Sequence, residues 1–204
     1  MKKPIIDPPP FCVIIDTREQ NPLPLVEGVP TRRDTLYPGD YSVDGLRSRI
    51  VVEKKDMGDL IGTLFGFSPK ADGGRMPRLQ KFVEELTAMR DIPLKAVVVT
   101  QPLRMIEQHL YQSTVPPQNV IRLIHDIEAQ TGVPFKFFDT AAQAAYWVAS
   151  EFFQAWEVAN GLSSIKYTVR KLRPERLKAK IPEPPKPSKR KFDTARKGEG
   201  VIAL

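Results

Sequence analysis

Three short apolar runs decide most of what this chain can fold into. They are "FCVIID" (11–16), "RIVVEKK" (49–55) and "KAVVVT" (95–100). A run of this length, rich in Val and closed by charged or polar residues, fits a strand buried on both faces. Between the runs the apolar spacing becomes helical. "DMGDLIGTLF" opens with Asp56 as a helix cap and Asp59 three residues on. "RLQKFVEELTAM" (78–89) sets Leu79, Phe82, Val83 and Leu86 on one helical face. Helices also span 117–132, closed by Gly132, and 140–160, opened by Thr140. Weaker strands are expected around 33–36 and over "VPFKFFD" (133–139). A Pro38–Gly39 turn leads to Asp40, and a mobile Gly/Pro loop covers 66–77. Strands alternating with helices give an α/β fold with a mixed central β-sheet flanked by helices on both faces. The first three strands follow one another through short links and are expected to be antiparallel. Later strands arrive through helical crossovers.

Charge divides the chain unevenly. The net charge is +7, but residues 161–204 hold thirteen of the 31 Lys and Arg and four of the 24 acids. That leaves +9 on the tail and −2 on residues 1–160. The tail is rich in Pro and Lys and poor in periodic apolar residues, so it reads as an extended, disordered arm. Such an arm suits a polyanion, with Lys171 and Arg173 as candidate DNA contacts. The plainer alternative is a solvated tail. Its "PSKRK" run serves either as a nuclear signal or as further polyanion contact. Cys12, the single cysteine, lies in an apolar run, which excludes an internal disulfide and a thiolate metal cluster. His109 and His125 are the two histidines and lie outside the charged segments described below, so no His-based metal site or triad is expected. The N-terminus lacks the apolar stretch of a signal peptide, and no segment reaches the length of a membrane span. An intracellular location, in cytoplasm, nucleoid or nucleus, is expected.

The second apolar run ends in Glu53, Lys54 and Lys55. Alternate residues of a strand share a face, so Glu53 and Lys55 point one way and Lys54 the other. Charges on the rim of a buried strand are costly unless paired or used. Asp40, delivered by the Pro38–Gly39 turn, is positioned to lie on the neighbouring strand. Asp40 and Glu53 together would bind a hard divalent cation, foremost Mg²⁺. Lys55 would orient the attacking water or stabilise charge developing on phosphorus. Asp with Glu-x-Lys is the minimum set for metal-assisted phosphodiester hydrolysis. Taken alone, Glu-x-Lys marks a surface ion pair more often than a nuclease.

The wider pattern adds to this. "IDTREQNPLPL", "LYPGDYSV" and "IVVEKKDMGDLIGTL" follow in order. Together they resemble the nuclease domain of the XPF family of structure-specific endonucleases, with its D-x-R-E segment and its later G-D-x(n)-E-R-K-x-x-x-D. The first segment is met by Asp16, Arg18 and Glu19. The second is met by Gly39, Asp40, Glu53, Lys54, Lys55 and Asp59. The family's Gly-Arg before an amphipathic helix is similar to Gly74-Arg75 before 78–89. The resemblance implies a restriction-endonuclease-like nuclease core over 11–160, preceded by an N-terminal extension (1–10) and followed by the basic tail (161–204). It implies a Mg²⁺-dependent DNA endonuclease, with Mn²⁺ able to substitute. Asp40 and Glu53 would be metal ligands and Lys55 the catalytic lysine. Arg18 would hold a phosphate, and Glu19 would orient it or support the metal shell. Asp16 would hold Arg18 or a metal water, the alternative being an ion pair of Asp16 and Glu19 with Arg18. Asp59 would steady Lys55 or Arg18, the alternative being helix capping. Lys54, Arg75 and Arg78 join Arg18 as candidate DNA contacts.

The chain departs from the family in two places. Lys54 stands where the family has Arg, which keeps the cation and loses the planar fork. No tandem helix-hairpin-helix modules follow residue 160. The aromatics of 140–160 project in more than one direction, which points to a homodimer or heterodimer through that helix, unless the N-terminal segment or the tail covers them. The expected substrate is branched or nicked DNA, in repair, recombination or mobile-element processing. The rival readings are a non-catalytic DNA-binding scaffold subunit, a restriction-type sequence-specific nuclease and an RNA-directed nuclease.

Overall fold

The computed structural model describes residues 11–25, 28–69 and 74–161. The 1–10 extension and the basic tail, with Lys171 and Arg173, lie outside the described residues. The elements run β1 (Val13–Asp16), β2 (Thr31–Asp34), β3 (Tyr41–Val43), β4 (Ile50–Lys55), α1 (Met57–Phe65), β5 (Phe67–Pro69) and β6 (Arg75–Pro77). They continue as α2 (Arg78–Ala88), β7 (Leu94–Val99), α3 (Arg104–Glu107), α4 (Pro117–Thr131), β8 (Phe135–Phe137) and α5 (Ala141–Ala159).

A six-stranded mixed sheet orders them β2-β1-β3-β4-β7-β8. The apolar runs became its interior: every residue of β1 is buried, as are Ile50 to Glu53 of β4 and Ala96 to Val99 of β7. β4 pairs antiparallel with β3 and parallel with β7, and β8 continues the parallel half. The expected antiparallel start is corrected at β2, which lies parallel to β1 with Val13 opposite Thr31. The segment 17–30 is long enough to carry the chain back to the starting end of β1, as a parallel neighbour requires. The antiparallel partner of β1 is instead β3, a strand of three residues directly after the Pro38–Gly39 turn. As an edge strand, β2 is polar, with Arg32 paired to Asp34 and Asp44 and with Asp34 also bridged by Arg47. Charge along an exposed edge discourages pairing with another sheet.

Helices cover both faces, as a restriction-endonuclease-like α/β fold requires. Val51, Val97 and Val99 pack against Leu60 and Ile61 of α1, Phe82 and Leu86 of α2, and Ile124 of α4. The alternate residues Ile50, Val52, Ala96 and Val98 pack against Ala144, Val148 and Phe152 of α5. The helix ends follow their sequence signals. Asp56 caps α1 by accepting from Asp59 N, Thr140 caps α5 by accepting from Gln143 N, and Gly132 closes α4 at φ 70°. Phe11 lies against Phe153 and Trp156, so the segment before β1 covers part of the aromatic face of α5. No helix among the described residues is long and apolar enough to cross a membrane.

Candidate active site

The parity of β4 fixes the site. Glu53 and Lys55 continue the series of Val51 and so face α1 and α2. The Lys55 ammonium lies 5.3 Å from the ring centre of Phe82 on α2. Lys54 turns to the other side and places its Nζ 3.4 Å from both carboxylate oxygens of Glu19. That pair is nearly dry, each side chain being 10% exposed. Glu19 therefore partners Lys54, while Arg18 partners Asp16.

Asp40 reaches Glu53 through backbone geometry. Tyr41 of β3 stands opposite Val52 of β4, so one step out along the antiparallel pair sets Asp40 opposite Glu53. Asp40 N donates to Val52 O at 2.9 Å, and Lys54 N donates to Asp40 Oδ2 at 2.8 Å. The preceding Gly39 has φ 83°, and a Cβ there would come within 2.4 Å of a Val51 methyl. Only glycine fits that approach.

The electrostatics follow from burial. Asp40 has its carboxyl pushed up to about 6, first by burial and further by the charges of Glu19 and Glu85. Glu53 is 3% exposed and also shifts upward, through burial and the neighbouring Asp40 carboxylate. Its Oε1 accepts from Lys55 Nζ at 2.5 Å, while its Oε2 is buried with no hydrogen-bond partner. Burial works to lower Lys55, but the charge and hydrogen bond of Glu53 outweigh it, with Asp59 and Asp40 adding to the rise. Lys55 therefore stays an ammonium.

The remaining candidates form supporting layers. Asp16 is fully buried and uses both oxygens: Oδ1 accepts from Arg18 N and Nε, and Oδ2 from Leu36 N. Arg18 also donates to Leu36 O at 2.9 Å, yet its side chain stays 62% exposed. Asp59 lies 3.5 Å from Lys55 Nζ and 3.0 Å from Arg78 Nη2, while the cap of α1 is Asp56. Arg75 sits exposed on β6 and takes part in none of these ion pairs.

One acid escaped the sequence reading. Glu85 of α2 accepts from Gly39 N at 3.3 Å, and its charge acts on Arg18, Asp40 and Glu53 alike. Its place on the polar flank of an amphipathic helix gave no signal beyond ordinary solvation.

The donor set suits a hard cation. Glu53 Oε2 is a buried oxygen without a partner, and Asp40 stands beside it, with neither His nor Cys at hand. Among the described residues no group of three His, Cys, Asp or Glu is placed to hold a metal together. Two carboxylates with the rest of the shell left to water and phosphate are the usual provision for Mg²⁺.

A mixed sheet with helices on both faces, which sets Asp40 just before β3 beside Glu53 and Lys55 at the end of β4, defines the class: a restriction-endonuclease-like α/β fold. The ERCC4 domain family matches residues 15–150, and the chain belongs to it. This places it among nucleases that process DNA. Among solved structures, XPF from Aeropyrum pernix superposes with a TM-score of 0.51 at 19% identity, covering 81% of this chain and 72% of that one. The same protein in complex with DNA gives 0.50 at 18% identity, covering 80% and 74%. No curated protein matches the sequence.

Proposed function

We propose that this protein is a divalent-cation-dependent endonuclease that hydrolyses phosphodiester bonds of DNA. The observation that carries the reading is the unpartnered, buried Oε2 of Glu53, set beside Asp40 and with Lys55 on the other oxygen. Asp40 and Glu53 would hold Mg²⁺, with Mn²⁺ as a substitute. A cation held there would supply acidification of a water and withdrawal of charge from the phosphate. Lys55 supplies fixed positive charge where the phosphate oxygens turn negative, and Phe82 and Asp59 keep its ammonium in place. Arg18, anchored by Asp16 and Leu36 yet open to solvent, takes a neighbouring phosphate. Glu19 holds Lys54 and through it the strand end that carries the acids. Water is the nucleophile, so no covalent enzyme intermediate forms.

The substrate is DNA that is branched or nicked, handled in repair, recombination or mobile-element processing. A second subunit docks on the outward side of α5, where Tyr146 is 69% and Val158 57% exposed. The folded core spans 11–160, and the basic tail adds phosphate contacts, Lys171 and Arg173 among them.

The test is a cleavage panel of flaps, forks, junctions, nicked plasmid and plain duplex, with Mg²⁺, Mn²⁺ or chelator. Asp40→Asn, Glu53→Gln and Lys55→Ala should each lose about 10²-fold or more in turnover. Lys55→Ala should keep DNA affinity. Tight binding without cutting under either cation would make the chain a scaffold. A ladder of discrete cuts on linear duplex would make it a restriction-type enzyme.

A further inference from the structure

β5 and β6 form a two-stranded antiparallel ribbon between α1 and α2. Phe67 stands opposite Pro77, and Pro69 opposite Arg75. Opposed residues of such a pair share a face, and all four are exposed, whereas the alternate Ser68 and Met76 are half-buried. One side of the ribbon thus leans on the protein. The other offers solvent a ring, two prolines and a guanidinium, with no acid among them. Phe67 is 60% exposed, and a two-stranded ribbon has no second layer to cover it. Among the described residues Arg75 takes part in no ion pair.

The ribbon is rooted on the candidate site. Arg78, directly after β6, donates its N–H to Gly66 O, directly before β5, at 3.0 Å. Its guanidinium bridges to Asp59, which in turn pairs with Lys55. Two ion pairs therefore connect the base of the ribbon to the catalytic ammonium.

Resting on the nuclease reading above, we propose that the open face of this ribbon is a platform for unpaired bases of the strand beside the cleaved phosphate. Phe67 stacks on a base, Pro77 and Pro69 extend the apolar floor, and Arg75 takes the adjoining phosphate. A base inside an intact duplex has both faces stacked on its neighbours and offers none to Phe67. A base at a gap, flap or fork does. The ribbon thus separates DNA with unpaired bases from plain duplex by a stacking contact, without reading sequence. Among the described residues of the ribbon the face carries no acid, and that, with the unpaired guanidinium, matches a polyanion better than a second copy of the chain.

The full chain, in chelator to prevent cutting, is titrated with a gapped duplex carrying a fluorescent adenine analogue in the gap, and with the intact duplex. The wild type should bind the gapped form more tightly and quench the analogue. Phe67→Ala should lose about tenfold on the gapped form and nothing on the intact duplex, and Phe67→Trp should restore the loss. Arg75→Gln should weaken both and lower the salt slope by about one. An exposed position tolerates these changes, which an unchanged Tm verifies. Equal losses on both duplexes in Phe67→Ala, or quenching that survives that substitution, overturn the platform while leaving the nuclease reading standing. A wild type that binds neither DNA overturns both. A change of oligomeric mass in Phe67→Ala with DNA discrimination intact assigns the face to a protein contact and also overturns it.

Discussion

At the scale of single residues, two buried aspartates titrate in opposite directions, and hydrogen bonding is the reason. Burial alone would raise Asp16, but its hydrogen bonds to the Arg18 side chain, Leu36 N and Arg18 N outweigh that and hold it below the ordinary range. Asp40 receives one backbone hydrogen bond, and burial wins, lifting it from 3.8 to about 6. The linkage signs differ accordingly. The stability from Asp16 is present above its unfolded value of 3.8 and fades as pH falls through its lower folded value. The stability from Asp40 is complete below 3.8 and fades as pH rises through about 6. Cation-free protein should therefore lose Tm at both ends of a melt series run from acid to neutral pH. Asp40→Asn should reduce the neutral limb and spare the acid one, with the remainder of the neutral limb coming from Glu53, which burial also raises. Asp16→Asn should flatten the acid limb and lower overall stability by about 2–4 kcal/mol, because an amide has a single acceptor oxygen and would set an NH2 donor against an N–H donor. Mn²⁺ should raise Tm increasingly as pH climbs through the Asp40 transition, since the cation needs the deprotonated carboxylate. A Mn²⁺ effect that is flat across that window would mean Asp40 is not a ligand.

At the scale of elements, the site depends on a helix that the motif does not contain. Gly39 hands Asp40 to Glu53, and Glu85 on α2 accepts the Gly39 amide. Glu85→Ala should release that turn and weaken both Mn²⁺ binding and turnover by about tenfold, as loss of an outer partner commonly does. Glu85→Gln keeps an acceptor and removes the charge, so it should recover turnover toward wild type. Identical losses in the two variants would show that the charge matters and the hydrogen bond does not. The same comparison explains what could be read from the sequence. β1, β4 and β7 were legible because strands buried on both faces leave continuous apolar runs. Asp40, Glu53 and Lys55 were legible because strand parity and one turn carry them. β2 was placed two residues late and its direction missed, since "TRRD" carries no apolar alternation. β3, with three residues, left no run of its own and was implied only by setting Asp40 on a strand beside β4, and the β5–β6 ribbon hid inside a Gly/Pro segment. Glu85 lies far downstream in the chain from its partner, and nothing local distinguishes an acid that reaches a buried turn from one that meets water.

At the scale of the whole molecule, charge and chemistry are held in different places. Residues 1–160 carry −2, and the acids of the site lie among them, a poor field for drawing in a phosphate backbone. The +9 lies in 161–204. On the proposed reading the tail captures DNA and the core cuts it, so the two contributions should separate kinetically. Removing 161–204 should weaken DNA binding at low salt and reduce the slope of log affinity against log salt by about 0.9 for each phosphate the tail no longer neutralises. Turnover at saturating DNA should stay within about threefold of the full chain, because groups that bind ground and transition states equally alter KM and leave kcat alone. The salt titration is the decisive measurement. A tail that grips phosphates must release counterions, and a tail that only keeps the protein in solution releases none. If truncation leaves both the slope and KM where they were, the positive charge has no part in substrate capture. The grip on duplex would then fall to the exposed Arg18, Arg75 and Arg78 of the folded core.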